Sequence, residues 1–581
     1  MSSNGSDDRL ESWKAIAGYL RRTERTARRW ERHEGLPVHR LSHHDRSSIY
    51  AFKSELDAWR AARSTGSPID ETKSRCGSSR HTGLAWAASL VAVVAALGGY
   101  LWWRASSPPA ASVPTLAVLP FTIDSADAET EHLGAAVAES LVNHIAGAPE
   151  LRVRPFVSSL RNVRPEEEPA TIGERMDVDM IVAGEVSARG DGLTIKVTLV
   201  DVAPNTQVWG SSFATTYGEL GPLQSMIART LWEQALLHRH GARRSLPVLD
   251  TNERLSTNPE AVRHYLRGLG LQHSTSRPQI QYSIDQFHRA VELDPDFAAA
   301  HSALSVAYVN LSFFGDLTAA ETMTQAKAHA LKAIALDPRS GDGHRALASA
   351  SHWYDFDHDL ADQQFRAAIA AAPYHAGARA WYAEFLTNMR RFHEALEATG
   401  TAAELDPGWA GPEVVRGIAF VSSGHPREAE QTCRDSLSNN PDYATAHYCI
   451  ALAYLATARD AEAVAEFELA NQDIGGAPFS MGSLAYGLGR AGRRAEAEEM
   501  LRDFERRRKA GYYPAFTLAM AHAGLGNDEQ ALDWLERAAD ERLLGYYLPS
   551  VEPAWDALRG HPRFKRLLQR IGVPDIQGED S

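Results

Sequence analysis

The chain has 581 residues, 44% of them apolar and 23% charged, and a formal net charge of −14. At roughly 100 to 200 residues per domain this length excludes a single compact core, and the composition excludes wholesale disorder, collagen and a multi-span transporter. Three cysteines, Cys76, Cys433 and Cys449, without a CxxC pattern, exclude a disulfide framework and a Cys-rich zinc site.

Charge is unevenly spread. Residues 1–81 carry 16 Lys/Arg against 11 Asp/Glu, and the rest of the chain carries 44 against 63. A basic head on a large acidic body is the electrostatic footprint of a segment that meets nucleic acid or anionic lipid. In LESWKAIAGYLRR, Trp13, Ile16, Ala17 and Leu20 fall at i, i+3, i+4 and i+7 and predict a short helix. Thr23 caps a second helix, TERTARRWER, with Ala27 and Trp30 on its buried side and Arg25, Arg28, Arg29 and Arg32 along one stripe. LPVHRL (residues 36–41) and SIYAF (residues 48–52) predict two strands joined by SHHDRS, and KSELDAWR (residues 53–60) predicts a closing helix capped by Ser54.

The run IAGYLRRTERTARRWERHEGLPVHR followed by SSIYAFKSELDAWR resembles the MerR/excisionase-type winged helix-turn-helix over residues 10–62. The resemblance implies DNA recognition by the second helix, with the wing on the phosphate backbone. Arg25, Thr26, Arg28, Arg29 and Arg32 would form the recognition set, and Arg40, His43, His44 and Arg46 would surround the wing. A winged helix also serves as a protein-docking module, and that alternative stays open. His33, His39, His43 and His44 lack thiolate partners or i, i+4 helical spacing, so no metal is expected.

From Thr82 to Trp103 the chain runs 22 residues without a charge, enough at 1.5 Å per residue to span a ~30 Å hydrocarbon core. This predicts one transmembrane helix, retained as an anchor because a folding pattern of its own precedes it. Lys73, Arg75 and Arg80 on one side against the lone Arg104 on the other place the head in the cytoplasm and residues 105–581 outside a bacterial inner membrane.

Beyond a polar linker, strand runs at 115–121, 151–156, 179–188, 193–202 and 206–213, with helical periodicity after Phe121 and from about Gly218 to Leu237, give the order βαβαβββα of a mixed-sheet α/β domain. LAVLPF, VDMIVAGEVSARGDGLTIKVTLVDVAPNTQVWGSSF and LQSMIARTL resemble the N-terminal domain of TolB and FlgO-like envelope proteins, which implies an interaction domain on the envelope side.

The C-terminal half is periodic. Ala326, Ala361, Ala395, Ala429, Ala463, Ala497 and Ala531 recur at a nearly constant step, and a second rung follows each of them at Ala333, Ala368, Ala402, Ser436, Ala470, Phe504 and Ala538. The ladder resembles the tetratricopeptide repeat, whose unit is roughly 34 residues and in which small residues let paired antiparallel helices approach closely. The longer step from Ala290 to Ala333 predicts an insertion around residues 312–321, and PAWDALRGHPRFKRLLQRIG predicts a helix capping the last repeat. Cys433 and Cys449 fall on adjacent predicted helices, where pairing stays open.

The expected fold class is therefore multidomain: a small winged helix-turn-helix, one transmembrane helix, a mixed α/β domain and an all-α tetratricopeptide superhelix. Its boundaries are 1–66 for the head, 67–81 for a basic linker, 82–103 for the membrane helix, 104–113 for a linker, 114–238 for the α/β domain, 239–257 for a linker, 258–546 for about eight repeats and 547–581 for the capping helix and tail. The expected function is a membrane-anchored transcriptional regulator with a cytoplasmic DNA-binding head and envelope-facing sensory and protein-interaction domains. The alternative is an envelope scaffold whose head docks a cytoplasmic protein. Expected partners are DNA, the membrane, a protein or peptide held by the superhelix, and a second copy of the chain. No cofactor, metal or enzymatic activity is expected, because no nucleophile, metal or nucleotide signature stands at workable spacing.

Overall fold

The computed structural model describes residues 9–10, 12–20, 36–41, 48–64, 113–124, 132–145, 151–164, 167–240, 255–272, 276–314, 317–407, 409–439, 443–473, 476–545 and 547–574. They divide into two units, residues 1–108 and 109–581.

In the first unit Ser12 caps helix α1 (Trp13–Tyr19) by accepting from the Ala15 N–H at 3.2 Å. The apolar face that the spacing predicts, Ile16, Ala17 and Leu20, packs with Leu36, Ala51 and Leu56. Strands β1 (Arg9–Leu10), β2 (His39–Leu41) and β3 (Ser48–Phe52) form an antiparallel sheet in the order β1-β3-β2. Helix α2 (Lys53–Ser64) follows β3 directly, so Ser54 lies in its first turn instead of preceding it.

The second unit begins with a mixed sheet of β4 (Thr115–Val118), β5 (Thr122–Ile123), β6 (Arg152–Val153), β7 (Met180–Arg189), β8 (Gly192–Asp201) and β9 (Thr206–Thr216), ordered β6-β4-β7-β8-β9 with β5 also on β7. β4 pairs in parallel with β6 and β7, and β7, β8 and β9 form an antiparallel meander. Alternation decides the faces. Leu116 and Val118 pack under α3 (Leu133–Ile145) and α6 (Leu220–His240), whereas Ala117 and Leu119 meet Ile172 of α5 (Pro169–Arg175). The strand expected over residues 151–156 is cut to two residues, because the chain turns at Pro155 into helix α4 (Phe156–Asn162). At Gly184 a Cβ would stand 2.6 Å from the Lys196 carbonyl oxygen and 2.8 Å from the Phe121 ring, so the ring can cross the sheet only over a glycine.

Eight antiparallel helix pairs follow among the described residues: α7 (Pro259–Leu269) with α8 (Arg277–Leu293), α9 (Ala298–Phe314) with α10 (Ala319–Leu336), α11 (Gly341–Ala350) with α12 (His358–Ala371), α13 (Ala376–Asn388) with α14 (Phe392–Leu405), α15 (Gly411–Ser422) with α16 (Pro426–Asn439), α17 (Ala444–Ala456) with α18 (Asp460–Asp473), α19 (Pro478–Arg490) with α20 (Arg494–Ala510), and α21 (Ala515–Gly524) with α22 (Asp528–Asp540). The alanine rungs from Ala326 to Ala531 lie on the second helix of successive pairs and are fully buried. The extra residues before Ala333 lengthen α9 to 17 residues instead of forming a separate element. The connection inside each of the last six pairs reaches the left-handed backbone region, at Phe356, Arg390, Gly424, Ala458, Gly492 and Gly526. Only three of these are glycine, the residue that adopts this conformation without a Cβ penalty. Cys433 of α16 and Cys449 of α17 form a buried disulfide with Cα atoms 6.3 Å apart. Gly417 of α15 faces it, and a Cβ there would stand 2.3 and 2.6 Å from the two sulfurs.

Two expectations are corrected. The chain is mostly helical, with a tetratricopeptide-like superhelix and a mixed-sheet domain, and among the described residues no helix is long and apolar enough to cross a membrane. This overturns both the membrane helix in the expected fold class and the single-pass inner-membrane placement built on it; the stretch 82–103 lies outside the described residues. The physical reason lies in helix length and patterning. The longest described helix, α6, carries Arg229 and Glu233 in its middle, and the most apolar ones, such as α17, stop after 13 residues and bury their side chains against neighbouring helices.

Candidate functional site

The residues expected to meet DNA fall largely beyond the described part of the head. Arg25, Thr26, Arg28, Arg29, Arg32, His43, His44 and Arg46 lie outside the described residues, and for Arg40 the structure gives only its backbone position in β2, paired with Ile49. What is described is the frame beneath them. His39 meets Glu55 at 2.7 Å and stacks on Tyr50 at a centroid distance of 5.1 Å, and Tyr19 donates to Asp57 at 2.6 Å. These contacts fasten β2 to β3 and α2, and α1 to α2.

The second candidate surface is the inner face of the superhelix, and it is occupied by the chain's own end. After α22 the chain turns through Arg542, at φ 54, and Gly545, at φ 99, and runs back across the first helices of several pairs. Arg542 donates to the Tyr354 carbonyl at 2.7 Å. The Leu548 N–H donates to Asn388 Oδ1 at 2.9 Å, and the Ser550 hydroxyl donates to the Asn388 carbonyl at 3.1 Å. Arg390 donates to the Ser550 carbonyl and Ser422 to the Val551 carbonyl, both at 3.3 Å. The Tyr448 hydroxyl donates to Glu552 Oε2 at 3.0 Å, while Glu552 Oε1 is buried without a hydrogen-bond partner. Burial, with Asp556 beside it, pushes the Glu552 carboxyl up to about 7.

The end of the chain forms a 3-10 helix (Pro553–Leu558) and a short α-helix instead of one helix over residues 553–572. Helix α23 (Pro562–Arg570) caps α22, with Arg563 paired to Glu529, Asp533 and Glu536 on one face of that helix. Past it, the Ile571 carbonyl accepts from His358 Nε2 at 2.7 Å, reaching the third helix pair. That bond orders a chain of neutral groups. His358 Nδ1 must accept from His352 Nδ1 at 3.0 Å, and His352 Nε2 accepts from the Asn388 amide at 3.1 Å. Burial lowers the pKa of both histidines, His352 being fully buried, so both stay neutral. Asn388 thus joins the ordered histidines to the segment lying on the groove.

A second histidine group, His288, His301 and His329, closes the junction of α8, α9 and α10. His301 and His329 meet at 2.9 Å, and burial beside the other two pushes His329 down to about 4. Among the described residues no group of three or more His, Cys, Asp or Glu is arranged to hold a metal ion.

The α/β domain is also tied to the array. Arg154 donates to the Leu405 carbonyl and, at 2.8 Å, to the Asp177 carbonyl, Ser158 donates to Asp406, and the Arg161 guanidinium lies 5.0 Å from the Tyr443 ring. Leu405 ends α14 and Tyr443 precedes α17, so α4 of the sheet domain reaches the middle of the array. Sequence reading missed both these contacts and the groove-lying segment. The one available signal was positional: Tyr354, in the π-helical turn Ser351–Asp355 that extends α11, Asn388 at the end of α13 and Ser422 at the end of α15 stand one repeat apart.

Comparison with known proteins bears on the sheet domain. Residues 111–230 match the family described as HilA/YgeH-like transcriptional regulator, second domain. This is the region expected to resemble TolB. The transcriptional regulator HilA of Salmonella typhimurium is 24% identical over 309 residues, covering 52% of this chain and 53% of HilA. A protein of Rhizobium meliloti named for an adenylate cyclase is 24% identical over 251 residues, 42% of this chain and 41% of its own. The chain thus spans about half or less of the length of these relatives. Among solved structures, PilF of Pseudomonas aeruginosa is 22% identical with a TM-score of 0.28, covering 37% of this chain and 92% of PilF.

Proposed function

We propose that the chain is a transcriptional regulator in which the basic head reads DNA and the joined sheet domain and superhelix form a partner-binding body. The observation that carries the reading is the match of residues 111–230 to a second domain of transcriptional regulators, in a chain whose basic head precedes that domain. The arginine stripe at Arg25, Arg28, Arg29 and Arg32 supplies the major-groove and phosphate chemistry that DNA reading requires. The repeat array supplies an extended inner surface suited to holding a peptide. The body acts by binding and not by catalysis: its described histidine groups are spent on packing and hydrogen bonds, as at His301–His329 and His352–His358. Two bodies in contact would place two heads on paired half-sites, raising their effective concentration.

The test is capture of genomic fragments by the full chain across a salt series, beside a chain with Arg25, Arg28, Arg29 and Arg32 replaced by Ala. Enrichment of a few fragments that falls steeply with salt and vanishes in the variant is the expected result. Equal capture by the variant, or none by either chain at low salt, would overturn DNA reading in favour of a protein-docking head.

A further inference from the structure

The groove of the superhelix is lined by repeat-equivalent positions, and the chain's own end uses them one after another. Tyr354, Asn388 and Ser422 occupy the same place in three successive pairs, and they meet Arg542, Leu548 with Ser550, and Val551 in that order. Three of the four groups that the segment offers to Asn388, Arg390 and Ser422 are backbone N–H or C=O; the fourth is the Ser550 hydroxyl. The segment itself is a turn over residues 549–551 followed by a 3-10 helix (Pro553–Leu558), and reading backbone groups while side chains fill pockets is how repeat surfaces and grooves take peptides from other proteins. The segment is also seated like a ligand: Leu543, Leu548, Ser550, Val551 and Trp555 are all buried.

We propose that residues 543–573 are a built-in ligand of this groove, holding it closed against partner segments, and that the partners it fits are peptides that take up the same turn, an apolar run ending in a carboxyl set against Tyr448. The inference rests on the reading of the superhelix as a partner-binding body and names what that body recognises. A covalently attached segment competes at an effective concentration in the millimolar range for a short connection, so a free peptide enters only when the strap is weakened. Asn388 is the positioning residue of the seat, since it contacts the strap through both its side chain and its backbone carbonyl while accepting its orientation from His352.

The experiment uses the full chain and a fluorescent synthetic peptide of residues 543–573. The intact chain should bind the peptide weakly. A full chain carrying Ser550→Arg and Val551→Asp, which leaves every groove residue unchanged, should bind it tighter by about 100-fold or more. Adding Asn388→Leu to that chain should abolish the gain. Binding by the intact chain as tight as by the strap variant, or no binding by a strap variant of native circular dichroism, overturns the proposal. Hydrogen exchange in the unsubstituted chain decides the matter even if the strap variant does not fold. The Leu548 N–H should exchange well before the amides of α17, and exchange of both only on global unfolding overturns the proposal. Selection from a random peptide library on the strap variant, lost on adding Asn388→Leu, tests the partner-binding reading separately. A chain that selects library peptides but refuses the strap peptide refutes only the built-in ligand.

Discussion

The two ends of the superhelix are both closed by apolar burial and differ in the polar contacts added to it. At the first pair, the core of the sheet domain runs without interruption into the repeats: Trp232, Tyr265, Phe287, Phe297 and Leu304 belong to one buried cluster with the strands. At the last pairs the cover is a strap whose Leu543, Leu548, Val551 and Trp555 join the apolar core of the repeats and which adds hydrogen bonds to Asn388, Ser422 and Tyr448 and a buried carboxyl at Glu552. Apolar burial is non-directional and acts at both ends. The strap adds directional hydrogen bonds and an ionisable group to that burial, so its docking answers to pH and to single partners in a way the fused end does not.

The contrast predicts a graded series of effects. Phe297→Ala, at the fused end and with its ring 4.9 Å from Tyr265, should lower the unfolding free energy by about 3–5 kcal/mol, measured by denaturant titration with sheet and helix signals falling together. If the helix signal survives the loss of the sheet, the two are not one joint. Gly417→Ala should cost about 1–3 kcal/mol, because its Cβ would collide with both sulfurs of the Cys433–Cys449 disulfide; an unchanged transition would mean that the groove wall yields there.

At the strap end the sign of the pH effect follows from Glu552. Its pKa is raised in the docked state to about 7 from 4.5, so the docked strap keeps a proton that the free strap has lost. Docking is therefore strongest below the free value, weakens as pH rises through the window between the two, and levels off above about 7. The groups facing this carboxyl are Tyr448, Tyr486, Asp556 and Arg559. The ratio of strap opening in the unsubstituted chain to that in Glu552→Gln should grow about fourfold between about pH 6.5 and pH 8, read by hydrogen exchange. A flat ratio would remove Glu552 from the joint. The smallest effect is a gain: Ala458→Gly relieves a left-handed alanine at φ 57 and should stabilise the array by about 0.5–1 kcal/mol, whereas the same change at an ordinary helical position would cost as much.

Much of the repeat array was legible because its rule is local. An alanine recurring once per repeat follows from the close approach of two helices, and each rung is buried where the spacing puts it. The strands of the sheet domain were legible for the same reason, since alternation along β8 matches its buried face. The left-handed corners were not, because Phe356, Arg390 and Ala458 occupy positions where a glycine would have announced the turn. The strap was not either. LLGYYLPSVE has no periodicity, and its partners lie far earlier in the chain and recognise mainly its backbone, which every sequence possesses. The residues expected to face DNA, Arg25, Arg28, Arg29 and Arg32, rest on the sequence alone and lie outside the described residues.

The corner that recurs in the last six helix pairs gives the groove the character of a toothed rack, with Tyr354, Asn388 and Ser422 as successive teeth. On a rack of identical teeth a bound segment could slip by one notch without losing a contact. Here the teeth differ. Asn388 offers the amide oxygen that the Leu548 N–H requires, whereas Ser422 donates its hydroxyl to the Val551 carbonyl, so the unequal teeth favour one notch over its neighbours.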